Sequence, residues 1–543
     1  MYKYNIVNTH FKLEEIPMIE KIKKHKYQCG VGALFIVMLF LHLFRLSDLP
    51  YAINIDEVGL WYNVKSLLTN GYDQGGNSWP LLFTNYYSEQ SAMYTYLATI
   101  CVKLFGDNLF ALRLPAVLNA CLIFIFGAKC TKKMFKSEVV TVAFCVCCTI
   151  FPYFVINNRI ALDCNLMLGF STVFLYTLMK ALETCKWQDF LFAGIMCGLI
   201  MYTYAISYIT IPLFVAITGI YLIVNKKINF KNAVIFLLPI VVLGIPLLLI
   251  QLINIFEWNK IIVLGITLPN FEWSRHSSVG LQNIVGHLIV FGKYILMGEE
   301  ISLLTSNIFL SNFYIISIPF LLIGLIQIIK EKEFSFKKII LFWLISTFCT
   351  IMLIKGGIRG YQTNALMFGC IILILDGLYW LFQKIKTANV KKILFIMLIA
   401  VYIVSFGGFC YHYFCGDYNY NVYRYENANT DFAEVVEEVK NDKKVYCLVK
   451  SVYYKIAVSK DTISDPFIYD HIYDEVEDDW VFKEHIYIDD NFVFDYWGRF
   501  FNEFEENATY VIPLKEKDYI ALMQEKENFS MEIINQYAIF RRN

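Results

Sequence analysis

The sequence predicts a polytopic α-helical membrane protein with about 11 transmembrane helices and a small soluble α/β domain at its C-terminal end. Three observations predict it. Long apolar runs recur through the first three quarters of the chain, lysine clusters punctuate them, and the composition changes near residue 411. The chain has 543 residues, is 57% hydrophobic and has a mean hydropathy of +0.50. A soluble domain is roughly 45–50% apolar, so the excess here is a membrane signature.

Runs of about 20 apolar residues span a bilayer core. Segments near 29–47, 110–128, 138–157, 165–182, 189–205, 207–224, 233–252, 307–329, 339–354, 365–383 and 393–410 qualify. The first follows a long basic stretch and no small-residue cleavage site follows it, so it reads as a retained signal anchor. Lysine and arginine concentrate in cytoplasmic loops. Residues 1–28 hold Lys12, Lys21, Lys23, Lys24 and Lys26, and later clusters fall at 129–136, 226–231, 330–338 and 384–392. These five basic segments agree with eleven alternating spans only if the N-terminus is cytoplasmic and the C-terminal domain extracytoplasmic. The spanning domain then covers 29–410, with long outer loops at 48–109 and 253–306. Residues 91–105 (SAMYTYLATICVKLF) are apolar but short for a span, and are expected to form a helix lying in or dipping into the outer leaflet.

From 411 to 543 charged residues rise and spans stop. DFAEVVEEVK at 431–440 has helical spacing, KVYCLV at 444–449 and TYVI at 509–512 read as strands, 517–527 as a helix and QYAIF at 536–540 as a closing strand. The acidic run DEVEDD at 474–479 reads as a solvated loop.

Lys+Arg and Asp+Glu are equal at 47 each, and no basic stripe marks a nucleic-acid partner. Most of the fifteen cysteines lie in apolar runs, where a thiol acts as a small hydrophobe. Cys410, Cys415 and Cys447 fall on the expected outer side, with a spacing that does not require a disulfide. No phosphate-binding GxxxxGK[ST] loop or dinucleotide fingerprint occurs, so no nucleotide cofactor is expected.

The candidate chemistry gathers on the outer side. Asp56 and Glu57 lie in YAINIDEVGLWY, close to the end of the first span, and Glu89 precedes the apolar 91–105 segment. Arg113 opens the second span, Arg159 and Asp163 share NNRIALDCN, and Arg359 lies in GGIRGYQTN. Any one of these can be an interfacial charge or a structural ion pair; their shared side is the informative feature. An arginine fork matches phosphate oxygens, a carboxylate can deprotonate an attacking hydroxyl, and two carboxylates can share a divalent cation. Tyr202, Tyr204 and Tyr208 read as an interfacial belt.

IDEVGLWYNVKSLLTNG, SAMYTYLATICVKLFGDNLFALRLPAVLNA, FPYFVINNRIALDCN and GLIMYTYAISYITIP, in this order across the first 210 or so residues, resemble the GT-C glycosyltransferases that use polyprenyl-phosphate sugars. The branch they look most like is that of protein O-mannosyltransferases and aminoarabinose transferases. The resemblance implies a sugar transfer on the outer membrane face from a lipid-monophosphate donor, with inversion. It implies that Asp56 is the base or a metal ligand, with Glu57 and Asp163 as further catalytic carboxylates. Arg113, Arg159 and Arg359 would contact donor phosphate, and Asp56 and Glu89 would hold a divalent cation if one is used. The aminoarabinose branch continues its second carboxylate with Lys-Pro; Gln90-Ser91 here departs from that and argues against that branch's substrate. The expected partners are the lipid-linked donor, membrane lipids and an acceptor that is a wall polymer, a lipid or a protein. The Ile, Lys, Asn, Phe and Tyr bias suggests a bacterial plasma membrane. A transporter or lipid flippase is the alternative, which predicts internal repeats and helices broken at the midplane. A non-catalytic scaffold is the third reading, and it has no need of Asp56 or Arg113.

Overall fold

A computed structural model of the chain describes residues 17–50, 53–85, 88–271, 274–275, 279–280, 284–298, 311–355, 358–416, 432–448, 471–474, 479–482, 486–489, 491–495, 501, 505–514, 516–526, 528–534 and 537–542. Apolar sequence over long stretches forces intrachain hydrogen bonding, and helices supply it. The bundle runs through α1 (Pro17–Leu43), α4 (Leu109–Phe135), α5 (Glu138–Ile150), α6 (Pro152–Asn157), α7 (Leu166–Thr184), α8 (Trp187–Ile200), α9 (Ser207–Val224) and α10 (Phe230–Ile255). It continues through α12 (Ile318–Lys330), α13 (Phe336–Met352), α14 (Met367–Lys384) and α15 (Ala388–Cys410). Among the described residues seven helices are long and apolar enough to cross a membrane, and others are shorter. The chain is a multi-pass membrane protein. The span expected at 307–329 is helical only from Ile318, after a 3-10 turn at Ile315–Ser317; residues 299–310 lie outside the described set.

Cation–ring contacts collect the lysines at one end of the bundle. Lys132 lies over Tyr27 in the N-terminal half of α1, and Lys337 over Phe135 at the end of α4. Lys227 lies over Phe334 and Lys338 over Tyr221 of α9. Lys133 also pairs with Glu183 at the end of α7. Neighbouring helices approach closely where side chains vanish. A Cβ on Gly324 of α12 would sit 1.9 Å from the Leu373 carbonyl oxygen of α14, and one on Gly377 2.0 Å from that of Phe320. Small residues allow this backbone-to-backbone packing in membranes.

The opposite end carries the two long loops, and both are built, not irregular. In the first, Asn54 caps α2 (Ile55–Asn70), which ends at Gly71 with φ 75°, the left-handed conformation glycine adopts freely. A hairpin follows, β1 (Leu82–Asn85) against β2 (Ser88–Ser91), and then α3 (Ala92–Phe105). At 14 residues α3 is only about 21 Å long, and it packs Tyr94, Ala98 and Val102 inward while Ile100 and Leu104 stay exposed. The turn before the hairpin is organised by buried Asp73, whose carboxylate accepts from the backbone nitrogens of Gly75, Asn77 and Thr84. In the second loop a short hairpin, β3 (Ile261–Val263) and β4 (Ile266–Leu268), precedes α11 (Ile284–Met297).

In the C-terminal region each of the five expected elements forms, and among the described residues five further strands accompany them. β5 (Val445–Cys447), β8 (Ile486–Asp489), β9 (Phe492–Asp495), β10 (Thr509–Pro513), β11 (Phe529–Ile534) and β12 (Tyr537–Arg542) form one mixed sheet in the order β11-β12-β10-β5-β9-β8. Strand alternation sends Val445, Cys447 and Val511 to the face that buries Phe432, Val435 and Val439 of the helix Phe432–Val439. Tyr446, Tyr510 and Ile512 go to the face covered by the helix Lys517–Gln524 through Met523. The first face belongs to one apolar cluster with Val58, Tyr62 and Tyr94, so the domain shares a core with α2 and α3. β6 (His471–Asp474) and β7 (Asp479–Phe482) pair as a separate hairpin; Asp474 and Asp479, expected in a loop, end β6 and begin β7, and residues 475–478 lie outside the described set. All fifteen cysteines are free, including Cys410, Cys415 and Cys447.

Candidate active site

Two arginines build the frame on which the site stands. Arg113 and Glu57 are both fully buried: Arg113 Nε donates to Glu57 Oε1 at 2.8 Å and Nη2 to Oε2 at 3.1 Å. Arg113 Nη1 donates to the carbonyls of Leu46 and Pro50, and Glu57 also accepts from the backbone nitrogens of Asn54 and Ala161. Arg159 is likewise buried. It donates to the carbonyls of Leu41, His42, Phe44, Arg45 and Leu49 at 2.6–3.2 Å, with Phe414 and Tyr413 against its guanidinium. It therefore satisfies carbonyls left open at the end of α1 and places a positive charge where the helix dipole favours one. These side chains are committed to the protein. Arg113, Arg159 and Glu57, expected to contact donor phosphate or act in catalysis, are here engaged with one another or with main-chain groups. Arg159 uses its Nη atoms for this, and its buried Nε has no hydrogen-bond partner.

The turn carrying Arg159 and Asp163 is held by amides. Asn119 donates to Asn158 Oδ1 and the Asn165 carbonyl and accepts from Gly169 N. Asn165 donates to the carbonyls of Asn157 and Ile160, and its Oδ1 accepts from Asn364 at 2.9 Å. Tyr153 donates to Asn364 in turn. The network binds 157–165 to the 3-10 segment Gly360–Leu366, which brings the Arg359 loop to this end.

Asp56 occupies the first turn of α2 and is half-buried. Its backbone nitrogen donates to Asn54, and its Oδ1 accepts from Asn85 Nδ2 at 3.4 Å. The hairpin register pairs Thr84 with Glu89, so Asn85 and Glu89 project from opposite faces. Glu89 is buried, and its two oxygens accept from Gln251 Nε2 at 3.1 Å and from Arg275 N at 3.2 Å. Asp163 is buried next to the same hairpin, accepting from Ser91 N at 3.0 Å and Cys164 N at 2.7 Å.

Arg275 completes the cluster. Its guanidinium lies 5.5 Å from the Tyr204 ring. Burial works against its charge, but Asp163, Tyr204, Glu89 and Tyr361 outweigh burial and hold its pKa above the ordinary arginine value. The charges of Asp163, Asp56 and Arg275 all reach the Cys164 thiol, and those of Arg359, Asp56 and Arg275 reach the Tyr361 hydroxyl. Asp56, Glu89, Asp163 and Arg359 are therefore brought to one end of the bundle, opposite the lysines. Arg359 itself is exposed, and its backbone nitrogen donates to Gln362. The expected tyrosine belt is only part of the picture, since Tyr204 is buried against Arg275.

Arg275 carries no periodic signal in the sequence. The one available clue was an arginine in an outer loop with few cations. For the expected cation between Asp56 and Glu89, the donor set is the test. Glu89 and Asp163 already accept N–H donors on both oxygens, and among the described residues no three His, Cys, Asp or Glu side chains gather as a ligand set. Asp163 and Glu89 lie close enough to Arg275 to favour its charge.

Residues 89–252, under a third of the chain, match the family model of dolichyl-phosphate-mannose-protein mannosyltransferases. No curated protein sequence matches the chain. Among solved structures, ArnT from Cupriavidus metallidurans, determined bound to undecaprenyl phosphate and in the apo state, superposes with a TM-score of 0.55 at 11% identity, over 94% of this chain and 98% of that one. AglB from Archaeoglobus fulgidus gives a TM-score of 0.44 at 11% identity, over 82% and 65%. With its helical bundle and its carboxylate-bearing first loop, the chain shares the fold of ArnT.

Proposed function

We propose that the protein is a membrane glycosyltransferase that moves a sugar from a polyprenyl-phosphate donor to an acceptor hydroxyl on the membrane face opposite its lysine-rich end. What supports this reading is the grouping of Glu89, Asp163 and Arg275 around the β1–β2 hairpin, whose Asn85 donates to Asp56, with the Tyr361–Arg359 loop at the same end of the bundle. The matched ArnT structure was determined with undecaprenyl phosphate, which supports a polyprenyl carrier here. By the lysine distribution, that face is extracytoplasmic and the N-terminus cytoplasmic, in a bacterial plasma membrane.

Asp56 takes the proton of the acceptor hydroxyl. The hydroxyl oxygen bonds to the anomeric carbon, the bond from that carbon to the phosphate oxygen breaks, and the lipid phosphate leaves. A single displacement inverts the anomeric centre. Arg359 and Arg275 offset the charge growing on the phosphate, while Glu89 and Asp163 hold Arg275 in place and charged. No step above is routed through a divalent cation, since both Glu89 oxygens already accept N–H donors.

The test is purified protein in nanodiscs incubated with polyprenyl-phosphate hexose, following release of lipid phosphate. Turnover that falls in Asp56→Asn supports the assignment. Equal turnover in wild type and Asp56→Asn overturns it.

A further inference from the structure

The second long loop contains an apolar hairpin that the proposed reaction does not use. β3 and β4 join through a two-residue turn at Leu264 and Gly265, both at positive φ, 52° and 80°. Such turns favour Asn-Gly, because a residue other than glycine, asparagine or aspartate is strained in the left-handed region. Leucine stands there instead, and its side chain is 98% exposed. Ile262 is 62% exposed and Val263 52%. The stretch 261–268 (IIVLGITL) carries no charged residue. Its root is fixed: Thr267 is buried, its backbone nitrogen donates to the Ser78 carbonyl at 2.9 Å, and its hydroxyl accepts from Ser78 N at 3.1 Å. A rigid root with a bare apolar tip at a strained turn needs an apolar surrounding.

The occupant follows from continuity. The hairpin leaves the end of α10, a helix apolar and long enough to cross a membrane, whose Leu238, Val242 and Leu248 are exposed. Beyond it Phe256 stacks on Trp258, both half-exposed, with Lys260 two residues further on. Aromatic rings and a lysine are the residues that sit at headgroup level. The exposed apolar surface thus runs from the spanning helix through an interfacial pair into the hairpin.

We propose that the hairpin Ile261–Leu268 inserts its Leu264 tip into the acyl boundary of the leaflet beside the carboxylate–arginine cluster. Both of its flanks are anchored there: Gln251 before it and Arg275 after it bond to the two oxygens of Glu89. The depth is shallow. Strands of three residues are about 10 Å long, and the unpaired strand edge keeps the rest of the hairpin near water and headgroups.

The full chain in nanodiscs tests this, with a small environment-sensitive fluorescent amino acid placed at Leu264, at Ile245 within α10, or at exposed Lys440. Lipids carrying a quencher high on the acyl chain should quench the label at Leu264 several-fold more than at Lys440, and aqueous iodide should quench it several-fold less. Quenching at Leu264 by iodide and not by lipid overturns the proposal. Shielding from both quenchers also overturns it, since that would place a protein partner or a second copy on the tip. The label at Ile245 reports whether the chain is embedded. None of these readouts requires turnover, so the outcome is independent of the proposed reaction.

Discussion

Arg113 and Glu57 meet through two hydrogen bonds, 2.8 and 3.1 Å long, with neither side chain open to solvent. The pair joins the start of α4 to the first turn of α2, and Asp56 precedes Glu57 on that turn. Glu57 thus fixes the frame, and its neighbour Asp56 reaches the β1–β2 hairpin through Asn85.

Removing one partner leaves the other charge buried and unpaired. Arg113→Ala or Glu57→Ala should cost about 3–5 kcal/mol. The apparent melting temperature in detergent should fall sharply for both. Arg113→Lys should not restore it, because an ammonium cannot span the two carboxylate oxygens and the Leu46 and Pro50 carbonyls together.

Asp56→Asn should behave in the opposite way. The side chain is half-buried, with Asn85 Nδ2 at 3.4 Å, and asparagine keeps its size, so little packing is lost. Melting should stay near wild type while turnover drops about 100- to 10,000-fold, the usual contribution of a general base. Asn85→Ala should give a smaller loss, visible as a shift in the pH profile of turnover because Asn85 positions Asp56.

Arg275 is held charged by Asp163 and Glu89, and its pKa is raised, so it stays protonated throughout the working pH range. Arg275→Gln should lower turnover at every pH. Arg275→Lys should keep part of the activity at neutral pH and lose it on the alkaline side, because lysine titrates near about 10.4 when unperturbed. A pH–rate series on the three proteins checks this. Turnover of the wild type should also persist after chelation of divalent cations, since Arg275 supplies the charge that Glu89 and Asp163 face.

The α12–α14 contact makes a prediction about stability alone. Gly377→Val would force a branched side chain onto the Phe320 carbonyl, so the helices must separate at a cost of about 1–3 kcal/mol or more. Melting in detergent should drop, and the activity of the protein that remains folded should be unchanged.

Much of this architecture is legible in the sequence because membrane helices are specified by local composition. α4, α7, α9, α10, α14 and α15 each announce themselves by a run of apolar residues, and the lysines between them mark one end. Asp56, Glu89 and Asp163 are legible as carboxylates close to those runs. What each charge does is not legible, because a partner is chosen by tertiary structure. Arg113 and Arg159 look as suited to phosphate as Arg275 does, and only the fold buries the first two against Glu57 and the carbonyls after α1. The β1–β2 hairpin is too short for a period-two signal to stand out, and α11, broken by His287 and Lys293, is too short to read as a span.

The hydrogen bond from Asn364 to Asn165 links residues separated by 199 positions. During synthesis, Asn165 emerges long before its donor exists. A nascent chain ending short of residue 364 therefore lacks the clasp that ties the Asp163 turn to the late helices. The completion of the candidate site is deferred until almost all the membrane segments have been inserted. Fragments of the protein released early from the ribosome should embed in the bilayer yet lack this link.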